Sequence, residues 1–447
     1  MSAEEIELPK NRSKHRVVVV GGGFGGLWAT RSLRRSDVEI TLVDKRTFHL
    51  FQPLLYQVAT GGLSPADIAS PLRGVLAHQR NVSVKLGEMI GIDFEGQRVL
   101  LRDGQLNYDS VIVATGSENH YYGNDQWRGV APGLKTIEDA LRIRNRIYSA
   151  FEKAENEADS DERTRLTTFV IIGGGSTGVE LAGALGEIAQ ITLKDNFRSI
   201  NAADTQVIIL EAGEGILAGY DEKLQAAAVK SLSKLGVSVR TGVFAKAIDE
   251  EGVTVSEAGR TYCIDSRNVL WAAGIKPSPV GELLVSNENM LDKTGRVLVN
   301  PDLSLPNHEN VYVIGDLAHV EDDTESPLPG TAPVAMSQGR YVASQITRKL
   351  NGQTVRPYRY RNAGQMAVIG RAAAIADLGW ARFSGYPAWL LWLFVHLMYL
   401  VEYDNRLVVF IQWAWNFFTR NRGARLITYD TQSSNRQLDD DSTRADK

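Results

Sequence analysis

Two short runs of glycine carry the first chemistry legible in this chain. Gly21, Gly23 and Gly26 stand in GGGFGG after four consecutive valines, and Asp44 closes the next apolar stretch 23 residues after Gly21. Gly173, Gly175 and Gly178 stand in GGGSTG after FVII, and Glu211 closes QVIILE 38 residues after Gly173. In such a turn the first glycine allows the sharp bend and the second lets main chain approach a pyrophosphate. The third lets helix pack on strand, and the later acid takes ribose hydroxyls. The longer second separation reads as an extension of helix and loop through Gln190 to Thr205. Ala212 and Gly213 follow Glu211 with no Lys or Arg, so a 2′-phosphate there would meet a carboxylate and no cation, and NAD(H) is expected over NADP(H). Two dinucleotide sites in one chain imply electron transfer between two bound cofactors.

The elements that must position these residues follow from the flanking patterns. Valines from Val17, the apolar spacing Leu27, Ala29, Leu33 and the run EITLVD predict strand, helix, strand, and the order repeats from Thr167 to Glu211. VIVATG ending at Thr115 and Gly116, LWAAG ending at Gly274, and NVYVIGD ending at Gly315 and Asp316 read as further buried strands that stop in small-residue turns. The fold class is therefore α/β with two Rossmann-like dinucleotide-binding domains. Ile137 to Ala154 has helical spacing, and nine charged residues among the fourteen from Glu152 to Arg165 predict a solvated linker. Met1 to Arg16 lacks the apolar core of a secretory signal, so the folded part is expected in the cytoplasm, and the polar tail Thr431 to Lys447 is expected to be disordered.

Composition narrows the chemistry further. Forty-nine Lys and Arg against 53 Asp and Glu give a net charge of −4, which offers no cationic field for nucleic acid. A single cysteine, Cys263, rules out an intramolecular disulfide, a dithiol redox pair and an iron–sulfur cluster. It is expected to be a small core residue of a strand. The seven His form no ligand-spaced cluster, so no metal site is expected.

With these residues in place the chain resembles the two-dinucleotide-binding flavoproteins. The resemblance implies that the NAD domain is inserted within an FAD domain and that Asp316 binds the FAD ribitol and phosphate region. Dithiol-using members of that superfamily are excluded by the lone Cys263. HLFQPLLYQVATGGLSPADIASPLR (from His49), GGGSTGVELAGAL, VIGDLAHV, APVAMSQGRYVA and GQMAVIGRAAAIADL together look like a type II NADH:quinone oxidoreductase, from about Arg16 to Tyr429. That resemblance implies FAD and NADH as cofactors and a membrane quinone as acceptor. It places Glu180 near the nicotinamide and the flavin, Gln52 and Pro53 in the flavin pocket, and the start of the helix near Pro333, with Ala335, toward the flavin. Gln338 becomes the quinone-side candidate; Ser337 stands where a second glutamine is usual, and Ala363 where a lysine is common. The boundaries implied are 16–120 and 286–380 for the FAD domain, 121–165 for the helical connection and linker, and 166–285 for the NAD(H) domain.

Five of the eight Trp lie in the last seventy residues: Trp380, Trp389, Trp392, Trp413 and Trp415. Gly385 to Val401 is apolar all round, but at ~1.5 Å per residue it spans about 25 Å, short of a ~30 Å hydrocarbon core. In the second stretch Asn405, Gln412, Asn416 and Thr419 share one side, and Arg420, Arg422 and Arg425 follow. The expectation for 381–430 is a monotopic, peripheral anchor of two helices on the cytoplasmic face of the cell membrane. A helical pair that is buried or forms a homodimer interface is the alternative, and His396 is expected to be packed or interfacial.

Overall fold

The computed structural model describes residues 14–321 and 326–428; the readings of the extreme N-terminus and of the tail from 431 fall outside the described residues. Contacts divide the chain into two units. Among the described residues the first comprises 14–49, Pro71–Glu118 and 276–321 with 326–361; the second comprises Leu50–Ser70, Asn119–Ile275 and 362–428. The stretch 50–70 and the residues just after 361 therefore group with the nucleotide-binding unit that begins at Asn119.

In the first unit a six-stranded sheet runs in the order Ser304–Leu305, His308–Val313, Ser110–Val113, His15–Val20, Val38–Asp44, Val82–Leu86. All neighbours but the first pair are parallel. Parallel strands covered on both faces read as continuous apolar runs, which is why VVVV and SVIV are buried throughout. The helix Phe24–Ser32 packs closely on Ala332–Leu350, because a Cβ on Gly339 would fall on the Gly25 carbonyl oxygen.

In the second unit a four-stranded parallel sheet runs Val237–Thr241, Gln206–Glu211, Thr168–Ile172, Asn268–Trp271. The helix Ser176–Glu187 follows the second glycine turn and continues in a single wide π turn, Ile188–Thr192. The charged run predicted as a linker is helical instead: Ile137–Asn156 reaches into it, and Ser160–Leu166 follows with Asp159 as its N-cap. The run is largely solvent-exposed as expected, and Glu162 pairs with the distant Arg267 at 2.7 Å. Cys263 lies on the strand Arg260–Asp265 as expected but is exposed, a correction that follows from its place on an edge strand with one side open.

The second unit also contains the antiparallel sheet Gln365–Gly370, Ala373–Asp377, Arg382–Gly385 and the helices Tyr386–Tyr399 and Tyr403–Thr419. Among the described residues no helix is long and apolar enough to cross a membrane. The polar side of Tyr403–Thr419 is turned onto the protein: Asn405 donates to Ser70 Oγ at 3.2 Å and Asn416 to the Gly62 carbonyl at 3.2 Å. The opposite side, with Leu407, Phe410, Ile411, Trp415 and Phe418, is left exposed, Trp415 to 66% and Phe418 to 80%.

Candidate functional site

The two glycine turns are built alike. A Cβ on Gly26 would fall on the Gly21 carbonyl oxygen and one on Gly178 on the Gly173 carbonyl oxygen, while Gly21 and Gly173 have φ of +105° and +108°. At Gly23 and Gly175 a Cβ would meet nothing within 4 Å. First and third glycines are thus fixed by packing, and the second faces open space where a phosphate can approach main chain. Each following helix starts without a side-chain cap and without an acid in its first turn, leaving N–H groups for an anion.

Each turn is clamped by the acid of the following strand. Asp44 accepts from the N–H groups of Gly22 (2.5 Å) and Arg46 (2.7 Å), and burial raises its pKa despite those bonds. Glu211 accepts from Gly174 (2.6 Å) and Gly213 (2.7 Å). In the first unit Thr115 lies against Gly21, and its hydroxyl is buried with no protein partner. Gly116 has open space beside it at φ +71°, and Ser117 Oγ donates to Asp316 at 2.5 Å. A Cβ on Gly315 would lie 3.6 Å from that of Ala335. Gly21, Gly23, Gly26, Asp44, Thr115, Gly116, Gly315, Asp316 and Ala335 therefore belong to one unit, where the open main chain and the orphaned hydroxyl fit FAD.

Gln338 belongs to this same unit but is only 1% exposed, and its Oε1 accepts the Gly315 N–H at 2.6 Å. Through that oxygen it braces the Gly-Asp turn. In the second unit Gly173, Gly175, Gly178 and Glu211 form the second turn, and Gly274 (φ +81°) ends the turn whose Ala272 and Ala273 pack against Gly173. Gln52 donates to the Lys135 carbonyl at 3.0 Å, and Pro53 sits in the short helix Gln52–Leu54.

Glu180 lies one turn into Ser176–Glu187 and borders a cavity of about 140 Å³. Removal from bulk water raises its pKa to about 8, against a hydrogen bond from the Val368 backbone that favours the charged form. Tyr56, Gln57, Glu187, Trp392, Trp413 and Arg422 also line this cavity. The Glu187–Arg422 ion pair closes at 2.9 Å, and Arg422 also donates to the Thr60 hydroxyl at 2.9 Å. His396 stacks on Trp392, with 4.2 Å between ring centroids, and burial lowers its pKa to about 4. Of these seven residues sequence reasoning placed Glu180 alone at the cofactor site and read Trp392, Trp413 and Arg422 only as parts of the anchor; the available signal was LYQ inside the segment from His49, with Trp and Arg recurring past residue 389.

Residues 15–339 match the family described as pyridine nucleotide-disulphide oxidoreductase, and residues 362–421 match the NDH2 C-terminal domain. The chain is 43% identical to the type II NADH:quinone oxidoreductase Ndh of Mycobacterium tuberculosis, over 96% of this chain and 93% of that one. It is 44% identical to NdhA of the same organism, over 93% and 90%. The solved structure of NDH2 from Plasmodium falciparum in complex with NADH superposes with a TM-score of 0.83 at 18% identity, covering 93% of this chain and all of that one, and shows the shared fold. With the glycine turns, their acids and a matching C-terminal domain in one chain, the protein belongs to the type II NADH:quinone oxidoreductases.

Proposed function

We infer that the protein oxidises NADH through FAD and passes the electrons to a membrane quinone without pumping protons. When bound, FAD supplies the two-electron redox chemistry that no residue of this chain can provide. The chain's own part is to bind and to orient. Main-chain N–H groups at Gly23 and Gly175 would receive the two pyrophosphates, while Asp44 and Glu211 hold their turns and offer carboxylates to ribose hydroxyls. Asp316, Thr115 and Gly116 would hold the ribitol and phosphate region, Ala335 opens the helix that faces it, and Gln338 braces the Gly-Asp turn. Gln52 and Pro53 would shape the ring pocket, and Gly274 the edge of the nicotinamide side. Glu180, whose pKa burial raises to about 8, would orient a ligand as a hydrogen-bond donor in its protonated form.

The single observation that carries the quinone reading is the cavity beside Glu180, walled by Trp389, Trp392, Trp413 and Phe417 from two helices whose remaining face is apolar and exposed. A lipid acceptor reaching this wall would arrive from the surface against which Trp415 and Phe418 are placed. Peripheral attachment to the cytoplasmic face of the cell membrane, with a second copy as an optional partner and no role for nucleic acid, completes the reading.

The test is steady-state NADH oxidation by the FAD-loaded protein on liposomes with a series of quinones. Quinone-dependent turnover is expected, with co-flotation of the protein that is lost on replacing Trp415 and Phe418 by Asp. Turnover of equal rate without quinone, or none with any quinone, would refute it.

A further inference from the structure

The polar atoms on the cavity wall form a chain whose direction is fixed. Trp413, on the helix Tyr403–Thr419, can only donate through its indole N–H, and it does so to Gln57 Oε1 at 2.8 Å. That contact settles which end of the Gln57 amide is oxygen, so its NH₂ group points the other way and donates to the Tyr56 hydroxyl oxygen at 2.9 Å. Tyr56 receives a hydrogen bond on its oxygen and accordingly has its own O–H left to give. Tyr56 and Trp392 both line the cavity; Tyr56 is 8% exposed and Trp392 1%, and the Trp392 indole N–H is buried without a protein partner. Beside the Glu180, Glu187 and Arg422 side chains the wall thus sets two donors among aromatic rings, the complement of a ligand that carries only acceptors, as a quinone ring does with its carbonyl oxygens.

We propose that Tyr56 donates a hydrogen bond to a carbonyl oxygen of the electron acceptor in this cavity, and that Gln57 and Trp413 are positioning residues that dictate the direction of that donation. The inference rests on the quinone reading above and adds to it the residue that grips the ring. Burial, with Glu180 and Glu187 nearby, keeps the Tyr56 phenol far above its ordinary pKa, so the donor proton is present throughout the working pH range. The arrangement ties the helix bearing the exposed apolar face to the acceptor through two side chains, since Trp413 sits on the inward side of that helix.

Direction is what the experiment reads. Tyr56→Phe removes the donor, and Gln57→Glu keeps the ring and the chain length but supplies a carboxylate that accepts from both neighbours. In that variant the Tyr56 hydrogen turns away from the cavity. Both should raise KM for quinone about 3- to 10-fold, the worth of one neutral hydrogen bond, with KM for NADH as the internal reference. Trp413→Phe, which frees the Gln57 amide to flip, should give a smaller rise in the same constant. A merely structural role would move both KM values or the flavin content together. Unchanged KM for quinone in Tyr56→Phe and Gln57→Glu, beside a wild type that turns over quinone, would overturn the proposal. If Tyr56→Phe fails to fold, Gln57→Glu alone decides. A wild type without quinone turnover would overturn the functional reading and this inference with it.

Discussion

Replacing Glu180 by Gln removes one titrating group from a partly buried site, and the consequence for stability can be worked through. Below about pH 4.5 the carboxyl is protonated in the folded and the unfolded chain alike, and the residue contributes no pH dependence. As pH rises from there toward 8 the unfolded chain releases this proton while the folded chain keeps it, so the folded state loses relative stability across that window. Above about pH 8 both forms are ionised and the loss is complete. A pKa raised from 4.5 to about 8 sets an upper bound of about 5 kcal/mol. The cavity lets water and the Val368 N–H reach the carboxylate, so at least about 2 kcal/mol is the working expectation. The assay is urea unfolding of wild type and Glu180→Gln, followed by tryptophan fluorescence between about pH 5 and 8.5. Wild type should lose stability relative to the variant as pH rises, and a protonated-carboxyl infrared band should be present at neutral pH in wild type only. Parallel profiles within about 0.5 kcal/mol, with no such band, would refute the argument that burial controls this group.

Three further outcomes follow from the geometry. Gly26→Ala should yield protein without flavin absorbance, because its Cβ falls on the Gly21 carbonyl, whereas Gly178→Ala should retain flavin and lose NADH binding, as read by absorbance and an NADH titration. Arg422→Ala leaves Glu187, whose side chain is 18% exposed, without its ion pair and should cost about 2–3 kcal/mol, seen as earlier proteolytic cleavage beyond residue 419.

The parts of the site that the sequence disclosed are those governed by local rules. A glycine forced to positive φ or to a close approach is needed wherever its strand and helix meet, so Gly21, Gly26, Gly173 and Gly178 announce themselves within a dozen residues. Asp44 and Glu211 were legible for the same reason, each ending a strand beside its turn. What escaped is what only tertiary packing decides. Gln338 looks in sequence like any helical glutamine, and only its meeting with the Gly315 N–H gives it a task. The cavity wall collects Tyr56, Glu180, Trp392 and Trp413 from four distant segments, and no period joins them. The charged run after Glu152 misled because charge reports solvent contact, not whether the backbone is coiled: its ion pairs to Arg267 are compatible with a helix. The second C-terminal helix showed its two sides in the pattern, but which side faced inward depended on Ser70 and Gly62, 335 and 354 residues before their partners.

The likeness of the two glycine turns carries a consequence for how the protein tells its cofactors apart. Both present bare main chain at the second glycine, both are closed at the first and third, and both are clamped by a carboxylate that holds two amides. Apart from the Glu211 carboxylate, which disfavours a 2′-phosphate, these shared features do not tell FAD from NADH, so each turn is a generic handle for the half of the molecule that the two cofactors have in common. Discrimination must be exercised at the far ends, where an isoalloxazine differs from a nicotinamide. Errors of occupancy would therefore be corrected by what surrounds the rings and would leave the handles indifferent.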